Sequence, residues 1–181
     1  NALQKNSWLL YAIALSGLLL TNLRGIYCFV ALLLIHITYN RRRLLTFNRN
    51  MIYAYCIAVF TFGIFLIYQY SELGWVLITK NENFSEHRKT TTFMLMVKNT
   101  IVYFKNLLDF GRIFLWVPLA LILFKIFRSK NDALDIPSQR VFIALLVFTV
   151  VFFFGFVPFS NPMGPRYLMI CYILSAILLI N

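Results

Sequence analysis

"LLLTNLRGIYCFVALLLIHITYNRRR", residues 18–43, holds two apolar runs split by an arginine and a glycine and closed by three arginines. An arginine at the centre of a membrane helix costs about 2.5–3.5 kcal/mol on insertion scales. Near a helix end the same side chain can reach water or a headgroup, and the cost falls. Arg24–Gly25 therefore reads as a break between a first apolar segment, Trp8–Leu23, and a second, Ile26–Tyr39. Each is shorter than the roughly 20 residues that cross a bilayer upright. Two short helices joined by a tight turn fit better than one long helix broken at Gly25, because the long helix would carry Arg24 in its middle.

The rest of the chain repeats this pattern. Of 181 residues, 61% are hydrophobic, 18% aromatic and 13% charged. A soluble domain holds about 45–50% apolar and about 25% charged residues, so the composition reads as a polytopic, all-α membrane protein. The formal charge of +11 comes from short basic clusters between apolar runs. That distribution suits cytoplasmic loops and anionic lipid and excludes nucleic acid as the partner. Cys28, Cys56 and Cys171 lie far apart in apolar segments, without the paired spacing of a metal site or disulfide framework, and read as buried free thiols. The chain opens on Asn1 and stops at Asn181 directly after an apolar run, which reads as a piece of a longer protein forming a single transmembrane domain over residues 1–181.

Six apolar segments follow one another: the two above, then Met51–Tyr70, Ile113–Phe127, Val141–Phe159 and Tyr167–Ile180. "SELGWVLITKNENFSEHRKTTT", residues 71–92, reads as the start of an aqueous loop spanning 71–111. Within that loop Met94, Val97, Ile101, Phe104 and Leu108 recur at helical spacing, while Lys98, Lys105 and Arg112 repeat every seven residues. This pattern predicts an amphipathic helix over 93–108 lying at the membrane interface. Asp109 stands four residues from Lys105 and three from Arg112, the spacing of a local ion pair. "RSKNDALDIPSQR", residues 128–140, reads as a polar loop. Clusters 41–49 and 125–140 share one side by alternation, and the positive-inside rule makes that side cytoplasmic. Arg24, the 71–111 loop and "SNPMGPR" then share the outer side, where Lys80, Arg88 and Lys89 are also basic.

The candidates for chemistry collect on that outer side: Arg24, Lys80, Glu82, Glu86, His87, Arg88, Lys89 and Arg166. Cations at helix ends in the headgroup layer suit a phosphate-bearing ligand. Arg166 follows Pro162, Gly164 and Pro165, and both Arg24 and Arg166 have a glycine close in sequence that admits backbone or ligand. Glu86 or His87, in "NENFSEHRK", could act as a general base toward an acceptor hydroxyl from a loop, although such charged runs also serve simply as solvated loops. "NFS" at Asn83 fits a glycosylation sequon, a pattern common by chance. His36, inside "LLIHITY", reads as an interhelical hydrogen-bonding group. The sequence shows no metal-ligand spacing, no phosphate loop and no nucleophile elbow, and it names no cofactor.

"LLLTNLRGIYCFVALLLIHITYNRRR", "NLLDFGRIFLWVPLALIL" and "NPMGPRYLMICYILSAILLI" resemble recurring pieces of the GT-C superfamily of polytopic membrane glycosyltransferases. In that family a helix ends in an arginine-glycine pair at the outer face, and an Arg-Tyr pair opens a later helix. The resemblance implies transfer of a sugar from a polyprenyl-phosphate carrier to a glycan, lipid or protein acceptor at the outer face of a cell-envelope membrane, the inner membrane in bacteria. It carries over Arg24 and Arg166 as carrier-phosphate contacts, with Tyr167 lining the same mouth. Lys80, Arg88 and His87 match no family motif and stand by position alone. The acidic first-loop motif that supplies the family's catalytic aspartate has no match here, so the chain would be the later part of the membrane domain. The piece around Arg24 also resembles the Ser-Arg-Gly stretch of O-antigen ligases and polymerases, whose outer loop is longer. A transporter or a non-catalytic membrane scaffold is the reading from another class; paired helix breaks in equivalent halves would favour a transporter, and the breaks here are not so placed.

The topology has a direct test. A cysteine placed at Asn83 should react with an impermeant reagent added outside, and one at Ser129 should be spared. The opposite labelling pattern would invert the orientation and move every outer-face candidate to the wrong side.

Overall fold

The computed structural model describes residues 7–21, 23–41, 49–76, 92–109, 112–128, 136–158 and 168–180. Every regular element among them is a helix: α1 Ser7–Thr21, α2 Leu23–Arg41, α3 Arg49–Leu73, α4 Phe93–Leu108, α5 Ile113–Arg128, α6 Ile136–Phe156 and α7 Met169–Ile180. They belong to two compact units, Asn1–Glu86 and His87–Asn181. Two helices are long and apolar enough to cross a membrane, Arg49–Leu73 and the Pro137–Phe156 part of α6. Ser7–Thr21, Gly25–Arg41 and Met169–Ile180 are shorter apolar helices, so length alone supports two spans and not six.

In the first unit α1 packs against both α2 and α3. Ala12 on α1, and Ala54 and Ala58 one turn apart on α3, are all at 0% exposure. Small side chains one turn apart let two helix backbones approach closely, which is how helices associate when water does not drive them together. Leu15, Leu19, Phe29 and Tyr55 complete the core around Ala58. α3 ends where Gly74 takes φ +67 and its N–H donates to the Tyr70 carbonyl at 2.9 Å, the left-handed glycine stop of a helix.

The break at Arg24–Gly25 is real but displaced. α1 ends at Thr21 and α2 already runs from Leu23, so both residues stand in the first turn of α2 and not between helices. The reason is steric: a Cβ on Gly25 would fall on the backbone carbonyl oxygen of Leu18. Gly25 is the point where α2 turns back against the last turn of α1.

In the second unit α7 packs against both α5 and α6. α6 begins at Ile136, inside the stretch expected to be loop, with Pro137 next and Ser138 buried. Proline is well suited to the first turn of a helix, where its missing N–H is not needed; polarity concealed that start. α4 spans the residues its periodicity predicted, and its described surface divides in an unexpected sense. Met94 at 81%, Ile101 at 64% and Phe104 at 51% are exposed, whereas Asn99, Tyr103 and Leu107 are the buried face.

The same inversion holds across the molecule. Only 17% of the apolar window of α3 and 22% of that of α6 is buried. Hydroxyls on apolar helices turn back onto their own backbone instead: Ser16 donates to the Ala12 carbonyl, Thr38 to Leu34, Thr149 to Leu145 and Ser175 to Cys171, all at 2.7–2.8 Å. Such back-bonding satisfies a hydroxyl where no water is at hand. On α3 the exposed Tyr53 stands near one end and the exposed Tyr68 and Tyr70 near the other, with Tyr53 and Tyr70 about 26 Å of helix apart at 1.5 Å per residue. That interval matches the two interfacial aromatic belts of a bilayer core about 30 Å thick.

Gly25→Ala forces a backbone carbonyl to move, and overpacking of that kind costs about 1–3 kcal/mol. Gly17→Ala is the control, since nothing lies within 4 Å of a Cβ there. Thermal denaturation in detergent should show Gly25→Ala clearly destabilised and Gly17→Ala at or above the wild-type midpoint. Equal midpoints would remove the close approach as the reason for the glycine.

Candidate functional site

Of the residues singled out from sequence, Arg24 lies on the described backbone, in the first turn of α2 and one residue before Gly25. Lys80, Glu86, His87, Arg88, Arg166 and Tyr167 lie outside the described residues, as do Glu82, Asn83 and Lys89. What is described at this place is the frame. A glycine holds α2 against the end of α1, and an arginine stands beside it at the end of the helix pair opposite to Arg41.

The far end of the same unit holds a polar cluster that charge and motif reasoning did not reach in full. The Tyr11 and Tyr55 hydroxyls are 3.1 Å apart, and the Tyr55 hydroxyl is 2.8 Å from His36 Nδ1. His36 Nδ1 is also 2.9 Å from the Leu32 carbonyl oxygen. A carbonyl can only accept, so Nδ1 carries the proton and donates, shared between Leu32 and the Tyr55 oxygen. Tyr55 is then able to donate to Tyr11. The three rings pack edge to face, with centroids 5.9–6.0 Å apart, and Phe29 meets Tyr55 at 5.3 Å. His36 is thus the interhelical hydrogen-bonding group its position suggested. Its partners come from α1 and α3, so the chain of donors joins all three helices of the unit. Each member stands about 6–9 Å from the Arg41–Arg49 end of its helix, at 1.5 Å per residue.

In the second unit polar contacts gather at the end of α4. The last carbonyls of a helix have no partner within it. Here Tyr172 Oη donates to Asn106 O at 2.6 Å and Trp116 Nε1 to Leu107 O at 2.9 Å. Arg112 Nη1 reaches Asn106 O at 3.4 Å, and the guanidinium lies 4.3 Å over the Tyr172 ring. Two more bonds hold α4 to α6 and the turn that follows it: Tyr103 Oη donates to Thr149 O at 2.7 Å, and Asn99 Nδ2 to Val157 O, just past the end of α6, at 3.1 Å. Arg112 therefore does more than extend a basic stripe: it and α7 close the end of α4. The backbone N–H of Asp109 donates to Lys105 O at 2.8 Å and caps the helix there.

Chemically, these clusters hold helices together. The described carboxylates are Glu72, exposed on α3, and Asp109, beside the end of α4; they belong to different units. Among the described residues no group of three or more His, Cys, Asp or Glu side chains could hold a metal ion. The cysteines are free, as expected, but only Cys171 is buried, with Cys28 half-buried and Cys56 exposed. The sequence signal for the tyrosine–histidine cluster was present: polar rings inside otherwise apolar helices are costly there and mark a function or a lock. Which rings meet could not be read, because Tyr11 and Tyr55 lie 44 positions apart.

Tyr55→Phe removes the middle hydroxyl of the chain. Interhelical hydrogen bonds within membranes average about 0.6 kcal/mol and reach about 1.7, so a loss of about 1 kcal/mol is expected. Tyr53→Phe, on the exposed side of α3, should leave stability unchanged. Reversible unfolding in mixed micelles measures both; equal values would mean the cluster does not join the helices.

Compared with known proteins, the chain matches no family model, no curated protein and no solved structure.

Proposed function

We propose that this chain is a multi-pass integral membrane protein of the GT-C kind, moving a sugar from a polyprenyl-phosphate carrier to an acceptor at the outer face. The observation that carries the membrane part is the inverted surface: apolar side chains outward, and hydroxyls, amide and imidazole turned to backbone carbonyls or to each other. Lipid on the outside is the solvent for which that arrangement is favourable. α1, α2, α5 and α7 join α3 and α6 as membrane segments, the shorter ones accommodated by tilt or local thinning. The basic clusters at 41–49 and 125–140 face the cytoplasm, and the membrane is the bacterial inner membrane.

The transferase part rests on the three sequence pieces that resemble the superfamily. It is supported by the placement of Arg24 at a helix end beside a close-packed glycine. Arg24 and Arg166 bind the carrier phosphate, Tyr167 lines the mouth, and Lys80 and Arg88 add positive potential from the outer loop. The base for the acceptor hydroxyl falls to Glu86 or His87, or to sequence beyond this chain.

Carrier-lipid binding by the full-length protein tests this reading. A charge-assisted hydrogen bond contributes about 1.5–3 kcal/mol, so Arg166→Ala should weaken binding roughly ten- to hundred-fold. Arg166→Lys should lose less, since it keeps the charge but not the bidentate fork. Wild-type binding by a normally folded Arg166→Ala protein would reduce Arg166 to a membrane anchor and overturn the phosphate site.

A further inference from the structure

Asn99, Tyr103 and Leu107 form the buried face of α4, held to α6 and the turn after it. On the other side Phe93, Met94, Val97, Ile101, Phe104 and Leu108 fall within about 100° of the helix circumference at 3.6 residues per turn, and all are 44–81% exposed. Lys98 and Lys105, both exposed, run along one edge of this stripe, about 10 Å apart at 1.5 Å per residue. Arg112, the next basic residue at that spacing, does not continue the row: its guanidinium is turned to Asn106 O and the Tyr172 ring. α4 holds no acidic residue, and the one carboxylate among the described residues of this unit, Asp109, stands past its end.

Depth places this face in a membrane. The Pro137–Phe156 part of α6 has 20 residues, about 30 Å of helix, which is the thickness of a bilayer core. On the membrane reading, Val157 then stands at the boundary of that core. Asn99 Nδ2 bonds Val157 O at 3.1 Å, so the adjoining Lys98 stands at the same boundary, where lipid phosphates begin. Tyr103 bonds Thr149 O, about 12 Å back along α6, so α4 slopes from the boundary toward the core with its Lys105 end the deeper. Cα–Cβ bonds tilt toward the N-terminus of a helix, which sends the Lys105 side chain back toward the boundary. A long ammonium side chain on such an edge reaches the headgroups while its stem lies along the apolar surface.

We propose that the exposed face of α4 docks on lipid, its apolar stripe against acyl chains and Lys98 and Lys105 against the phosphates of anionic phospholipids. The stripe alone would suit any lipid. The two lysines on its edge, with no carboxylate on the helix to offset them, select the anionic ones. The proposal rests on the membrane reading above, and not on the transferase reading.

Photoreactive lipids test it on the whole chain, reconstituted into phosphatidylcholine vesicles containing phosphatidylglycerol at a fixed fraction. An equal trace of one lipid or the other carries a diazirine on an acyl chain, and labelled residues are mapped by peptide mass after irradiation. Photoreactive phosphatidylglycerol should label residues 93–108 at least about two-fold more than photoreactive phosphatidylcholine. Lys98→Gln/Lys105→Gln should bring the two yields together, whereas Lys98→Arg/Lys105→Arg should keep them apart. Arg41→Gln/Arg49→Gln, the same loss of charge at exposed positions of the other unit, should leave the preference at 93–108 unchanged. Equal labelling of the wild-type helix by the two lipids would overturn the proposal. So would a preference that survives in Lys98→Gln/Lys105→Gln, or one lost as fully in Arg41→Gln/Arg49→Gln. Labelling by neither lipid would mean that protein covers α4, a second copy or a further segment, and overturns it too. Failure of the protein to float with the vesicles would instead overturn the membrane reading, and the docking face with it; failure of Arg166→Ala to affect carrier binding would touch neither.

Discussion

On the membrane reading proposed above, hydrogen bonding without water is the constraint on which this structure depends. In an apolar medium an unsatisfied polar group costs several kcal/mol, so each donor must find an acceptor inside the protein. Helices meet the demand for their own backbones, but not at their ends and not for side chains. The described contacts address those two gaps. Serine and threonine hydroxyls bond the carbonyl one turn back, and phenol, indole and amide groups reach carbonyls on neighbouring helices. The polar groups thereby decide which helices pair, while the apolar ones decide only what medium surrounds them.

The two units meet this constraint in different ways. In the first, a tyrosine from α1 and another from α3 meet a histidine from α2. In the second, the anchor is a helix terminus: α5 and α7 supply the donors that the end of α4 lacks. Arg112 adds a cation over an aromatic face, an interaction that gains strength where water is excluded. α5 itself contains Pro118, which removes one backbone donor midway.

Much of this helical plan could be read from the chain, and the misreadings have physical causes. α4 was legible to its ends because its apolar residues recur at helical spacing with nothing to interrupt them. α3 was legible because its apolar run, Met51–Tyr70, is long enough to cross a bilayer core. The polar letters of "IPSQR" hid the start of α6, where a proline and a buried serine open the helix. Arg24–Gly25 was legible as a break but displaced, because a glycine reads as a turn when its service here is close packing. The candidate site was legible only as charge. Lys80, Glu86, His87, Arg88 and Arg166 stand in segments with no apolar periodicity, and they and Tyr167, which opens the last apolar run, lie outside the described residues. The tyrosine–histidine cluster was legible in part: His36 reads as an interhelical hydrogen-bonding group inside an apolar run, but only tertiary packing shows that Tyr55 and Tyr11 meet it.

The small buried residues of α1, α2 and α3 carry a consequence for how such a chain can diverge. On the membrane reading proposed above, leucine, isoleucine, valine and phenylalanine are interchangeable on a surface that meets hydrocarbon, so the outward faces are free to drift. Gly25 has no such latitude, since a Cβ there falls on a backbone carbonyl, and Ala12, Ala54 and Ala58 are fully buried. Over long descent the heritable signature of this unit shrinks to a few small residues and three rings, scattered over some fifty positions. Kinship with this protein would then be recognised by the spacing of its smallest side chains, long after the rest of the sequence had been rewritten.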